Sequence, residues 1–454
     1  MASMTTHREH APPGGAGSGA GPVGPREGAR RSVEAVWRIE APRLVGALVR
    51  IVQDLGTAEE LAQDALVAAL EQWPESGVPR RPGAWLLTVA RRRAIDLVRR
   101  DRRLAEKLPL LARDAEAPAA GGPDAYAEVE AELDQDAIDD DVLRLICTAC
   151  HPVLSREARV ALTLRLIGGL STEEIARAFL VPESTVAQRI VRAKRTLAAR
   201  QVPYEVPGGA ELTQRLESVL EVVYLVFNEG YAATSGEDWT RPGLCADALR
   251  LARVLAGLLP GEPEVLGLAA LLELQSSRLP ARADASGAPV LLPDQDRGRW
   301  DRLLIRRGFA ALAAAEAAGR ERGRPPGPYL LQAAIAACHA SAIRAEETDW
   351  GRIAQLYALL DACAPSPVVA VNRAVAVGMA EGPAAGLALL DGLGDSGARE
   401  LTAYHLLSGV RGDLLARLGR TAEARREFER AAELTRNAAE RELLLRRARA
   451  LPVR

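Results

Sequence analysis

From Ser32 onward the apolar positions recur every three or four residues, not every second one, which is the period of helices with one buried face. Val33, Val36 and Trp37, followed by Leu44, Leu48 and Ile51, mark a first helix. After Gly56, Thr57 reads as an N-cap with Glu60 as its capping-box partner, and Leu61, Ala65, Ala69 and Trp73 share one face of a second helix. The opposite face carries Glu60, Gln63, Asp64 and Glu71. Pro74 to Pro82 reads as a loop. A third helix follows in AWLLTVARRRAIDLVRRDRR, with Leu86, Val89, Ala90, Ile95 and Val98 inward and the arginines outward. Periodicity fades from about Glu106 to Asp140 and returns at Val142. Between Ser155 and Arg200 three helices are separated at Gly168-Gly169 and Val181-Pro182, and Ser171 with Glu174 forms a second capping box. A short helix, a tight turn and a longer helix are the spacing of a helix-turn-helix.

Pro203 and Pro207-Gly208-Gly209 mark the next boundary. Leu212, Leu216, Leu220, Val223 and Phe227 open a succession of amphipathic helices with loops near Gly236, Ser286 and Gly323. In GDLLARLGRTAEARREFERAAEL, the residues Gly412, Leu415, Gly419, Ala424, Phe428 and Ala431 stand at tetratricopeptide (TPR) spacing. A looser match lies around Trp350, Tyr357 and Ala385 to Leu389, so the region is TPR-like and not a regular array. The pattern predicts an all-α chain: a disordered Gly/Pro/Ala-rich tail at 1–31, a helical domain at 32–104, a linker at 105–140, a helix-turn-helix domain at 141–201 and a helical extension at 210–454.

At 454 residues the chain exceeds a single hydrophobic core. Its net charge of -2 says less than where the charges cluster. Arg91 to Arg103 is densely basic, whereas Asp114 to Asp141 holds eleven acidic side chains and no basic one. Like charges crowded on one short helix repel, and phosphate binding with counterion release relieves them, which points that helix at nucleic acid. Trp85 shares the face of Leu86 and Val89 and reads as core. Five cysteines make no disulfide framework. Cys147-Thr-Ala-Cys150-His151 spells a haem-attachment pattern, but without an export signal or further ligands it reads as buried thiols, so neither metal nor cofactor is expected. No apolar run is long enough for a membrane span and no signal peptide is evident, which predicts a cytoplasmic protein without a membrane partner.

AEELAQDALVAALEQW, RPGAWLLTVARRRAIDLVRR and STVAQRIVRAKRTL, in this order, resemble regions 2.2, 2.3 to 2.4 and 4 of the extracytoplasmic-function (ECF) sigma factors of the sigma-70 superfamily. The resemblance covers about Val33 to Arg200. The stretch from DDDVLRLICTACHPVL through YLVFNEGY to the TPR-like tail is similar to the group with a long C-terminal extension, associated with small DGPF-domain (YCII-related) proteins. The resemblance implies a subunit without covalent chemistry that binds core RNA polymerase, at its clamp coiled coil and flap, and directs it to promoter DNA. Glu60, Gln63, Asp64 and Glu71 would then face the clamp coiled coil. Arg91, Arg92, Arg93, Asp96, Arg99, Arg100 and Arg103 would meet the minus 10 element, with unpaired bases held near Gly77 to Pro82. Ser184, Thr185, Gln188, Arg189 and Arg192 would meet the minus 35 element, and Lys194 and Arg195 phosphate or solvent.

A stand-alone helix-turn-helix regulator with a TPR-like sensor is the rival reading, and it has no use for the first helical block. An enzyme in the C-terminal half, using Glu229, His339 or His405, lacks a nucleophile motif, phosphate loop or metal spacing. YLVFNEGY admits two readings. In one, Leu225, Val226 and Phe227 enter the core and Gly230 caps the helix. In the other, Asn228, Glu229 and Tyr231 form an internal latch or a partner contact.

Overall fold

The computed structural model describes residues 25–107, 135–401 and 404–452, and among these there is no strand. Helices α1 (Pro25–Val52), α2 (Leu55–Ser76) and α3 (Pro82–Lys107) form the first bundle. α1 begins at Pro25, so the expected tail is shortened from its C-terminal end, and its residues 1–24 lie outside the described residues. Proline is favoured in a first turn because its missing N–H has no intrahelical partner there. α2 is capped by Asp54, not Thr57: the Asp54 carboxylate accepts from the Thr57 N–H and hydroxyl, both at 2.7 Å, and this draws Leu55 and Gly56 into the helix. α2 also runs through Pro74, closed by the Gly77 N–H on the Trp73 carbonyl at 2.9 Å, so the expected loop is confined to 77–81. Trp73 is buried and Trp85 packs edge-on against it at 5.5 Å, anchoring that last turn.

α4 (Gln135–Ala149) starts before Val142, which shortens the expected acidic linker from its C-terminal end; residues 108–134 lie outside the described residues. α5 (Arg156–Leu166), α6 (Thr172–Phe179) and α7 (Glu183–Ala199) are the helix-turn-helix unit. The Ser171–Glu174 capping box is formed in both directions, at 3.0 and 2.8 Å. Cys147 and Cys150 are fully buried, and burial pushes the Cys150 thiol up to about 12.

The extension comprises α8 (Gly209–Tyr231), α9 (Pro242–Leu258), α10 (Pro263–Ser276), α11 (Arg302–Glu321), α12 (Pro328–Ser341), α13 (Trp350–Cys363), α14 (Pro367–Ala380), α15 (Pro383–Leu401), α16 (His405–Arg417), α17 (Thr421–Leu434) and α18 (Ala438–Ala450). Gly230 is not a cap: α8 continues to Tyr231, and a Cβ at Gly230 would stand 2.7 Å from the Cys245 backbone nitrogen, so this glycine lets α8 and α9 touch. The TPR spacing becomes the pair α16 and α17, where Gly412 lies against the Phe428 ring and Ala424 and Ala431 are fully buried.

One hydrophobic core runs without a break from Val33 in α1 to Ala340 in α12. The extension also supplies polar closure. Arg215 and Ser218 of α8 donate to the carbonyls of Cys147 and Cys150 at 3.0 and 2.6 Å, where the end of α4 leaves carbonyls without intrahelical partners. Asn437, before α18, donates to Ala233 and Asp238 at 3.1 and 2.8 Å, so the last helix pair closes back on the loop after α8.

Candidate nucleic-acid interface

α3 presents its apolar stripe, Leu86, Ala90 and Ala94, to the core, and this turns most of its basic residues outward. Arg92, Arg93, Asp96, Arg99, Arg100 and Arg103 are exposed and Arg91 is half-buried. On α2, Glu60, Asp64 and Glu71 are exposed, whereas Gln63 is half-buried and donates to Glu59 at 2.8 Å. Asp64 pairs with Arg93 at 3.3 Å, so the acidic face of α2 and the basic face of α3 meet along one edge. In α7, Ser184, Gln188 and Arg192 are exposed, and Thr185 and Arg189 are half-buried. Arg189 lines a cleft of about 190 Å³ between the helix-turn-helix and α8, bounded by Val160, Phe179, Leu225 and Glu229.

Glu59 is the residue that sequence reasoning missed. It is buried, and it receives Arg165 of α5 at 2.6 Å together with the Lys194 ammonium of α7. Burial alone would raise its pKa, but Lys194 and Arg165 outweigh that cost and hold the carboxyl below its ordinary range. Lys194 therefore faces the first bundle and not phosphate or solvent, while Arg195 is exposed. The available signal was an acid placed in register with Ala58, Ala62 and Ala65 on the apolar face. Further ties join the same two units. Arg38 pairs with Glu174 at 2.6 Å, Arg50 with buried Asp141 at 3.3 Å, and the Tyr204 hydroxyl donates to the Asp141 carbonyl at 2.8 Å. At Asp141 burial wins over Arg50 and Arg144 and raises the carboxyl pKa.

The extension grips the helix-turn-helix from its other side. Arg250 donates to the Gly168 carbonyl at 2.9 Å in the first turn of the motif. Arg241 pairs with Glu229 and donates to the Ala178 carbonyl at the end of α6. Glu221 receives Arg156 and Arg159 at 2.9 and 3.2 Å. Glu229 thus ties α8 to the helix-turn-helix through Arg241, while Val226 and Phe227 enter the core, so elements of both readings of YLVFNEGY are present. His339 is buried against Trp350 and His405 bonds Glu440 at 3.2 Å, so neither sits with Glu229. No helix of the described residues is long and apolar enough to cross a membrane.

Residues 37–104 match the family Sigma-70 region 2 and residues 145–197 match Sigma-70, region 4. Residues 215–316 match a family of unknown function, DUF6596. An uncharacterised protein of Rhizobium meliloti (strain 1021) is 46% identical over 400 residues, covering 88% of this chain and 91% of that protein. The ECF RNA polymerase sigma factor SigK of Mycobacterium tuberculosis is 31% identical over 156 residues, covering 34% of this chain and 78% of SigK. SigK of Mycobacterium ulcerans is 28% identical over 163 residues, with the same shares covered. No solved structure matches the chain. Two sigma-70 regions in their proper order, with a SigK relative matched over most of its length, establish that the chain belongs to the ECF RNA polymerase sigma factors, the family that confers promoter recognition.

Proposed function

We propose that this sigma factor reads its promoter through two faces, α3 at the minus 10 element and α7 at the minus 35 element, and docks core polymerase through α2. The observation that carries the reading is the outward Arg92, Arg99, Arg100 and Arg103 on a helix whose other face is committed to the core. Phosphate contacts by such a helix position the chain, and Gln188 and Arg189 of α7 supply bidentate groups suited to base edges. Glu60, Gln63, Asp64 and Glu71 are the clamp-facing set, acidic against a basic coiled coil. The domains are 32–104, 141–201 and 210–454, with the acidic linker between the first two. The protein acts in the cytoplasm without covalent chemistry of its own, and a DGPF-domain (YCII-related) protein is among its partners.

Run-off transcription with purified core polymerase tests this. Arg99→Glu with Arg100→Glu should abolish initiation at every promoter, whereas Gln188→Ala should reduce it selectively where a minus 35 element is needed. Wild-type activity of the double arginine variant would overturn the minus 10 assignment.

A further inference from the structure

The segment Tyr224 to Tyr231 also walls a cavity of about 150 Å³ inside the extension. Tyr224, Asn228 and Tyr231 of α8 face Gln275 of α10, Gln332 of α12, Tyr357 of α13 and Asn372 of α14, with three apolar side chains between them. No charged side chain lines the cavity, although charged residues make up 26% of the chain. The guanidiniums stand behind the wall. Arg278 donates to the Tyr231 hydroxyl at 2.7 Å and also to the Gln275 side-chain carbonyl, while Arg282 lies 3.6 Å from the Tyr231 ring centre. These contacts fix the Tyr231 ring and leave the Gln275 amide hydrogens for the cavity. Tyr224 donates to Gln332 at 2.8 Å, fixing the opposite wall. Among the described residues, the Tyr357 hydroxyl and the Asn372 amide have no side-chain hydrogen bond within the protein.

We propose that this cavity binds a small uncharged planar molecule, about one ring in size, that carries adjacent donor and acceptor groups, as a primary carboxamide or a pyrimidine does. Three arguments converge on that class. A cavity of about 150 Å³ has room for a benzene-sized ring. The Asn372 amide offers a donor and an acceptor side by side and the Gln275 amide a further donor, which suits a group that carries both, while tyrosine rings supply flat faces. An ionised ligand would give up hydration with no charged side chain in the lining to pair with directly. The site is also one helix away from promoter reading: on the adjacent face of α8, Glu221 and Glu229 hold the helix-turn-helix through Arg156, Arg159 and Arg241.

Saturation-transfer NMR on the full-length chain tests the proposal, with benzamide and uracil as neutral probes and benzoate as the charged isostere of benzamide. The neutral probes should give transfer, and benzoate should bind about tenfold more weakly than benzamide. The Tyr357→Phe, Asn372→Leu double variant should lose most of the neutral-probe signal with an unchanged Tm, since Asn372 is exposed and Tyr357→Phe removes one oxygen. Absence of transfer from both neutral probes, an equal response to benzoate, or an undiminished signal in the double variant would each overturn it. No polymerase or DNA enters the measurement, so its outcome stands apart from promoter recognition.

Discussion

Glu59 shows how one side chain joins two sequence-distant units. Removing the carboxylate while leaving Arg165 and Lys194 in place strands two cations against a buried position, and breaking such a pair costs about 3 kcal/mol. Glu59→Ala should therefore lower unfolding stability by about that amount in urea titrations. Because the folded-state pKa of Glu59 is depressed, its contribution is complete above the ordinary carboxyl value of 4.5 and is lost as pH falls through the folded value. The stability gap between parent and Glu59→Gln should accordingly narrow in acid. His339 behaves differently. Burial, with Arg278 and Arg297 adding to it, depresses its pKa from 6.5 to about 3, so below pH 6.5 the unfolded chain takes up a proton that the folded chain refuses. Stability falls with pH across that window, and His339→Gln should flatten the slope between pH 7 and pH 5.5.

Helix packing in the extension is controlled by where a Cβ fits. Gly230 has the Cys245 backbone at the place a methyl would occupy, and backbone cannot rotate away as a side chain can. Gly230→Ala should cost about 1 to 3 kcal/mol and separate α8 from α9. Gly257, exposed in α9 with nothing within 4 Å of its would-be Cβ, is the control, and Gly257→Ala should stabilise by about 0.5 to 1 kcal/mol. Thermal unfolding of the two variants should move in opposite directions.

Across the whole molecule, region 4 is held between region 2 and the extension by one continuous core and by charged pairs on both sides. A chain cut after Gln201 loses Arg215 and Ser218 from the end of α4 and uncovers the apolar face of α4 and α5, so it should aggregate on size-exclusion chromatography. A monodisperse, cooperatively folding 1–201 fragment would contradict that. Arg38–Glu174 and Glu59–Lys194 are among the ties that hold region 2 to region 4. Arg38→Ala combined with Glu59→Ala should therefore increase the maximum dimension seen by small-angle scattering.

The helices, the Ser171 capping box, the α16–α17 pair and the outward face of α3 were legible because each depends on residues within one or two turns of each other. Periodicity and capping are local physics. Local signals also misled: Thr57 follows a glycine and looks like a cap, but Asp54 reaches farther and binds both its N–H and its hydroxyl. What only tertiary structure decided is which charged groups meet. Glu59 with Lys194 and Arg38 with Glu174 join positions that no periodicity relates, and burial strengthens the Glu59 pair by removing the water that screens the exposed Arg38–Glu174 pair. The sequence by itself determined a sigma factor with a helical extension; the placement of that extension against region 4 came from the fold, because one shared core stabilises three units better than three small ones.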